Sequence, residues 1–530
     1  MNSSPRVPRR RQRDAPDTRR DRLAIGIGIW MLIVLLVPRI IRMLFPEVWI
    51  EDDFYLESAW LVCAGMRPYL DFIHPHMPLL EWLTASYLRL FGASHFSIEL
   101  LNEAAIFVTS LLTFLLARRV ANRPTAILAS ILYTYSSLVF RYHMYERESF
   151  VAPLLLIAVL VALDESLSEF TQAAVIGYLF YMACAFKLTA VVPLPVVIIF
   201  LAASRRRIVG ALTTGAIFAL MLAAFSTLLY WAYGNEFVFQ TFIFHFMKGR
   251  DVAGNGTFQA RMIFDLIAPL FIIGLIVVVA RRMISRGVIL VLTIVGGEYL
   301  FYGIVSPTAW GHNFLEMLPF IAIVAGVGAL RLLAAIHHLI TDSEHQRSDW
   351  IALAGGSALV AFCLLWVTPL INQNWLHGSV YGFGFMSKAE ITQLADALRN
   401  FSRPEDDVIA PAFLSFEANR RELIRYPETY GVYREAKAAY DRDGFFAARR
   451  RLGSEDFFRL IADTAHFWTD EMRAAIVAGK VPVVINDSPI QMLPLVSIHD
   501  EFLAASGYRI VLQTDHYQVW NRTSAPTNAK

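Results

Sequence analysis

Charge and cysteine are scarce in this sequence. Asp, Glu, Lys and Arg make up 17% of its 530 residues, where a soluble chain of this length carries roughly a quarter. The deficit falls in a series of apolar runs long enough to cross a hydrocarbon core of about 30 Å, and the mean hydropathy is +0.47. A wholly soluble chain is excluded. The three cysteines, Cys63, Cys184 and Cys363, lie in or beside apolar stretches. The polar last third therefore has no disulfide framework and no Cys-based metal site. It also lacks a Gly-rich phosphate loop, and no internal repeat is visible along the chain. The net charge of +2 names no partner, since Arg on one side of a membrane can cancel acids on the other.

What is present begins with an Arg-rich start: Arg9, Arg10, Arg11, Arg13, Arg19, Arg20 and Arg22. The cluster directly precedes an apolar run, so it reads as a cytoplasmic topology signal and not as a nucleic-acid arm. The run is too long for a signal-peptide core and has no small-residue cleavage site, so it reads as a retained first span. About eleven spans follow from the hydropathy, at about 24–45, 98–119, 124–140, 149–163, 170–186, 188–203, 207–232, 263–280, 287–305, 313–335 and 350–371. The fourth to sixth are short. Inside loops then carry Arg118, Arg119 and Arg123, next Arg205, Arg206 and Arg207, and next Arg281, Arg282 and Arg286, which agree with one another under the positive-inside rule. Asp164 to Glu169 is an acidic inside loop, but acids weigh little in that rule. The expected organisation is a basic cytoplasmic tail (1–23), a transmembrane domain (24–371) and an extracytoplasmic C-terminal domain (372–530). The last reads as α/β: an amphipathic helix over 388–400, short strands at 407–410 and 481–485, and a hairpin or edge strand from Tyr508 to Trp520.

With this topology, the residues that are costly in a membrane gather on the outer side. The first outer segment opens with Glu51, Asp52 and Asp53, three adjacent carboxylates beside Phe54 and Tyr55. Mutual repulsion and partial burial raise the proton affinity of at least one unless a cation sits among them, which suits a general base or a metal site as well as a solvated helix cap. His74 and His76 follow in a Pro-rich stretch and suit a phosphate or sugar contact, a metal, or packing. Leu79 to Phe91 is too polar to span and fits the interface. The next outer loop holds Arg141, Glu146, Arg147 and Glu148. Lys187 stands between two apolar runs, where a charge marks a site unless it snorkels to lipid phosphate. Residues 234–262 read as a longer outer loop, a mobile lid or a connector. His312 and Glu316 lie one helical turn apart, paired with each other or facing a cavity. Carboxylates can deprotonate a hydroxyl, and cations can hold a phosphate leaving group at the depth of a lipid headgroup.

The first loop resembles that of the GT-C glycosyltransferases, in particular the protein O-mannosyltransferase and aminoarabinose transferase relatives. Their pattern of acidic pair, Tyr, Ala, Gly, Pro-Tyr-x-Asp and a Pro-rich stretch is matched by Glu51-Asp52-Asp53, Tyr55, Ala59, Gly65, Pro68-Tyr69, Asp71 and Pro75 to Pro78. The match is close over about residues 47–92 and looser around Glu146, Glu148, Lys187 and His312 to Pro319. The resemblance implies a GT-C-like fold whose first catalytic loop covers 46–97. It implies an inverting glycosyltransferase of the cell envelope, mannosyltransferase-like, that uses a polyprenyl-phosphate-linked sugar on the periplasmic or lumenal side of a membrane, here expected to be the bacterial inner membrane. The acceptor is a glycan, lipid or protein hydroxyl. Asp52 takes the role of base, with Asp53 or Glu51 as substitutes. Lys187 and Arg141 or Arg147 hold the phosphate, with His312 as a further contact. The sequence departs from the pattern in having Glu-Asp-Asp where the family often has Asp-Glu, and His76 where a Lys is common. A divalent metal is compatible with this reading but not required by it. Two other readings compete: a transporter or flippase of a lipid-linked glycan, and an assembly protein whose tail binds a partner. A transporter is expected to show broken helices, a midplane charge or a repeated half, whereas here the charged residues singled out gather at the outer face and no repeated half is visible.

Overall fold

A computed structural model describes residues 48–49, 53–139, 145–205, 208–247, 270–280, 284–306, 311–341, 385–386, 388–423, 427–454, 470–487 and 498–522. The expected first and last spans, at 24–45 and 350–371, and the basic tail lie outside the described residues.

The first loop carries two helices, α1 (Asp53–Cys63) and α2 (Leu79–Phe91). The bundle follows with α3 (His95–Val120), α4 (Arg123–Val139), α5 (Glu148–Ala162), α6 (Glu169–Phe186) and α7 (Pro193–Arg205). Next come α8 (Ile208–Val238), a π-helical turn (Phe239–Ile243) and α9 (Phe244–Met247). After α10 (Leu270–Ala280) and α11 (Arg286–Leu300), a 3-10 turn (Gly311–Met317) leads into α12 (Leu318–Thr341). Among the described residues, five helical stretches are long and apolar enough to cross a membrane, and three apolar helices are shorter. The chain is a polytopic membrane protein. The runs at 149–163 and 188–203 are short, whereas Glu169–Phe186, expected to be short as well, is long enough to cross.

Local chemistry explains the helix starts. Ser94, Ser168 and Ser285 each cap a helix by accepting the N–H three residues on, which satisfies one of the orphan donors of the first turn. Gln172 donates to the carbonyls of Val161, Ala162 and Asp164, tying off the end of α5 at the acidic turn. Lipid offers no hydrophobic drive between helices, so small residues and hydroxyls hold them together. Ser110 on α3 meets Ser130 and Thr134 on α4, each at 2.7 Å. A Cβ on Gly274 would collide with the Val324 carbonyl, and one on Gly328 with the Leu270 carbonyl, so α10 and α12 touch backbone to backbone. Apolar side chains such as Phe107, Leu111, Leu220 and Trp231 remain exposed, as a lipid-facing surface requires.

One expectation is corrected. The outer loop expected at 234–262 is helical as far as Met247, and Ile208–Met247 forms a stretch of 40 residues. Gly234, at φ +64°, allows the kink. The polar residues after it find partners instead of solvent: Glu236 accepts from the Tyr433 hydroxyl at 2.7 Å, and Gln240 bonds to the first loop.

The C-terminal region mixes helices and strands. Helix α13 (Lys388–Phe401) covers the amphipathic helix expected at 388–400. Strands Val483–Asp487, Tyr517–Arg522 and Tyr508–Gln513 form an antiparallel sheet in that order, the last two as a hairpin. Ile391, Leu394 and Leu398 pack on Val483, Ile485 and Val519, and a second core holds Ile476, Val484 and Trp520. Two features stitch this region to the first loop. Val48–Trp49 pairs antiparallel with Phe385–Met386, and His95 at the start of α3 bonds through both its backbone N–H and its ring to Glu417.

Candidate functional site

The Pro-Tyr-x-Asp stretch closes a turn. Asp71 accepts from the Arg67 N–H at 2.7 Å and from its guanidinium at 3.1 Å. Tyr69, at φ +69°, sits in a left-handed conformation that is uncommon for an aromatic. Its hydroxyl donates to the His76 carbonyl at 2.6 Å, and its ring meets Tyr233 and Phe237 of α8. Gln240 then holds two points of the segment, donating to the Tyr69 carbonyl at 2.9 Å and accepting the His74 N–H at 2.7 Å. His245 contacts the Pro75 carbonyl through its ring nitrogen. Prolines at 75 and 78 supply no N–H, so the segment cannot continue as helix or strand and depends on these cross-links.

Arg147, at the start of α5, is 1% exposed. Its guanidinium donates to the Met77 carbonyl at 2.9 Å, to the Phe186 carbonyl at 2.8 Å and to the Glu81 carboxylate, and it lies 4.6 Å from the centre of the Tyr55 ring. Glu81, on α2, is fully buried, with the His74 ring nitrogen 3.3 Å from its second oxygen. Burial raises the proton affinity of the Glu81 carboxyl, but Arg147 and His74 outweigh it and hold the group below the usual carboxylate range. One arginine thus ties the first loop, the start of α5 and the end of α6 together.

The next residue starts a second cluster. Glu148 accepts from the Lys187 ammonium at 2.6 Å, and Glu316 accepts from the same ammonium at 2.5 Å. Lys187 follows α6 as its C-cap, where a cation complements the helix dipole. Glu316 lies on the 3-10 turn before α12. The Tyr302 hydroxyl donates to Thr189 at 2.8 Å and lies 3.4 Å from Glu316. Asn313 donates to Glu148 at 3.4 Å. Four helix ends therefore meet around one lysine, and the cluster adjoins the first through the neighbouring pairs Arg147–Glu148 and Phe186–Lys187.

The expected site residues divide as follows. Lys187 and Glu148 are in direct contact. Arg147 and His74 share Glu81. His76 lies with its ring centre 5.7 Å from Tyr55, 6.2 Å from His74 and 5.5 Å from His245. Glu146 is buried beside Arg147 in the chain. Glu316 bonds to Lys187, and the side chain of His312, with which it was expected to pair or face a cavity, lies outside the described residues. Glu51, Asp52 and Arg141 lie outside the described residues, as do the side chains of Asp53 and His312. The backbone of Asp53 starts α1 and that of His312 lies on the 3-10 turn. Sequence reasoning missed Glu81, which looked like one polar residue of an interfacial stretch, and Glu298, which looked like an isolated acid inside an apolar run. The signal for Glu81 was its position: with Leu80, Thr84, Ala85 and Leu88 it falls on the buried face of α2. Among the described residues, no group of three or more His, Cys, Asp or Glu side chains is placed to hold a metal ion.

Comparison with known proteins adds the following. The profile of the family described as dolichyl-phosphate-mannose-protein mannosyltransferase matches residues 74–231. The fold is similar to that of ArnT from Cupriavidus metallidurans crystallised with undecaprenyl phosphate, with a TM-score of 0.60 and 12% identity over 95% of this chain and 99% of that one. The apo form of the same protein gives 0.59 and 13% over 94% and 98%. The Archaeoglobus fulgidus oligosaccharyltransferase tethered to an acceptor peptide gives 0.52 and 13% over 94% and 75%. Comparison with curated protein sequences finds no match. At such identities the likeness is one of fold, and it extends over nearly the whole chain.

Proposed function

We propose that this chain, a GT-C superfamily glycosyltransferase dependent on a polyprenyl phosphate, transfers a sugar with inversion from the lipid-linked donor to an acceptor hydroxyl on the extracytoplasmic side of the membrane. The observation that carries the proposal is the meeting of Glu148, Lys187 and Glu316 at the helix ends over which the first loop folds. The reaction needs three things. A base takes the acceptor proton, the acceptor oxygen forms a bond to the anomeric carbon, and the bond from that carbon to the phosphate oxygen breaks. Asp52 is the base in this reading, with Asp53 or Glu51 next to it in the chain. Lys187 neutralises the charge that develops on the departing lipid phosphate, a role worth most where water is excluded. Arg141 and His312 complete the phosphate contacts, and His74 and His76 line the approach from the first loop. Arg147 supports this arrangement from behind, since its hydrogen bonds fix Met77 and Phe186 on either side of the site.

The rest of the organisation follows the same reading. About eleven spans, a cytoplasmic basic tail (1–23), a transmembrane domain (24–371) and a periplasmic C-terminal domain (372–530) put the site at the outer face, in a bacterial inner membrane. The acceptor is a glycan, lipid or protein. The test is transfer from a polyprenyl-phosphate-linked sugar by purified Asp52→Asn and Lys187→Met proteins with unchanged unfolding temperature. Loss of turnover in both is expected, of 10²-fold or more for the base. Full turnover by Asp52→Asn would remove that residue from the role of base, and full turnover by Lys187→Met would remove the phosphate assignment.

A further inference from the structure

Three buried carboxylates stand against one ammonium at the core of this cluster. Glu148, Glu298 and Glu316 are 1%, 0% and 1% exposed. Lys187 bonds to the first and the third. Glu298, on α11, accepts nothing: neither of its carboxyl oxygens has a hydrogen-bond partner among the described residues. Its charged neighbours are Glu316 and Lys187. Fully ionised, the four groups would carry a net charge of −2, three acids less one lysine. An ionised carboxylate without hydrogen bonds in an apolar surrounding is costly enough that the group keeps its proton. Two carboxyls sharing one site do not both ionise.

Among the described residues, the neighbourhood holds little else that titrates. Tyr302 faces Glu316 from the turn after α11, Cys184 faces it from α6, and Glu148 from α5. Asn313 and Thr189 are neutral. The backbone departs from regular geometry at this place: three residues after Glu298, α11 passes into a π-helical turn, Phe301–Val305. Such turns inside helices recur at functional sites.

We propose that Glu298 and Glu316 form a proton-binding pair, and that arrival of a lipid phosphate at Lys187 draws one proton into it. The inference rests on the reading of Lys187 as the phosphate ligand. One positive charge already serves two carboxylates. A phosphate oxygen on the ammonium adds at least one further negative charge, and Glu316 loses part of its cation. The pair offsets this by taking a proton from the outer solution onto a Glu316 carboxylate oxygen, where an O–H bond forms while no carbon–oxygen or phosphorus–oxygen bond changes. The proton returns when the lipid phosphate leaves.

The experiment is calorimetric titration of the purified full-length protein with undecaprenyl phosphate at about pH 8, in buffers of different ionisation enthalpy. A phosphate monoester has already lost its second proton at this pH, and contact with a lysine would only hold it in that form, so uptake must come from the protein. The wild-type protein should take up about one proton per lipid bound, and Glu316→Gln, whose side chain cannot take that proton, should bind with uptake near zero. Binding without uptake in the wild type, or equal uptake in Glu316→Gln, overturns the proton-binding pair and leaves the phosphate assignment standing. Failure of undecaprenyl phosphate to bind at all overturns both. The wild-type measurement decides even where the variant does not fold.

Discussion

Replacing Arg147 by methionine tests whether the charged residues under the first loop act as one unit. The substitution keeps an unbranched apolar stem and removes the guanidinium. It strips the Met77 and Phe186 carbonyls of their donor and leaves the Glu81 carboxylate with His74 alone. The side chains of Arg147 and Glu81 are 1% and 0% exposed, so water does not screen the loss. Breaking one partner out of a buried ion pair costs about 3–5 kcal/mol. Glu81→Leu should cost a similar amount by leaving the guanidinium uncompensated. The double variant buries neither charge, so its cost should fall below the sum of the two by about 2–3 kcal/mol. The assay is unfolding of the detergent-solubilised protein followed by tryptophan fluorescence. The Glu81 carboxyl is held below the usual range by Arg147 and His74 against the effect of burial. Its contribution is therefore complete above the unfolded value of about 4.3 and is lost only as the pH falls through the lower folded value. The coupling should be flat from about pH 6 to 8 and fade on acidification. If the double variant loses the full sum of the single losses, the two side chains do not act together and the reasoning fails.

Two further outcomes follow from the fold. Burial raises the proton affinity of Glu417, but the hydrogen bonds and charge of His95, with Arg399, hold it below the usual range. Its contribution to docking of the C-terminal region is thus present above the unfolded value of about 4.3 and lost as pH falls further, and Glu417→Gln should speed proteolysis around residues 402–420 at pH 7. An unchanged cleavage rate would show that the contact contributes nothing. Gly328→Val drives a branched side chain into the Leu270 carbonyl on α10 and should cost at least about 1–3 kcal/mol, whereas Gly296→Ala, with open space at its Cβ, should change the unfolding temperature little. Equal effects of the two would refute backbone contact between α10 and α12.

How far the sequence could be read depends on how local the determinants are. Helices such as Leu79–Phe91 and Lys388–Phe401 were legible almost to the residue, because amphipathic periodicity and the flanking Pro and Gly are local signals. Lys187 was legible because a cation between two apolar runs needs a reason. Its partners were not: Glu148 and Glu316 lie 39 and 129 residues away, and nothing local in a sequence couples them. Glu81 was hidden for the opposite reason. A glutamate on an amphipathic helix ordinarily faces water, and only the arrangement of α2 under Arg147 turns it inward. The helix ending expected at residue 232 followed from Gly234 and the polar residues after it. Those residues are satisfied by Tyr433 and Tyr69, from segments far along the chain, so the helix continues.

The short helices explain why the charged residues can meet where they do. Helix α5, with 15 residues, extends about 22 Å, some 8 Å less than a typical hydrocarbon core. Glu148 is at its first residue and Lys187 just past the last of α6, packed beside it. A longer α5 would carry Glu148, and the Lys187 bonded to it, up toward the headgroup plane, where water would screen them. On the topology proposed above, a short one keeps them below that plane, under the first loop. A lipid phosphate would approach this cluster from the side, because its own chain stays in the bilayer while its headgroup enters. A water-soluble sugar phosphate would have to cross the first loop. The shortness of these spans, a departure from what a bilayer demands of a plain anchor, is thus itself an argument for a lipid-linked substrate. Lengthening α5 by one turn of leucines after Ala162 would leave every polar residue of the cluster in place. It should nonetheless lower turnover with a polyprenyl-linked donor far more than it lowers the unfolding temperature, because it moves the lysine relative to the lipid and not relative to the protein.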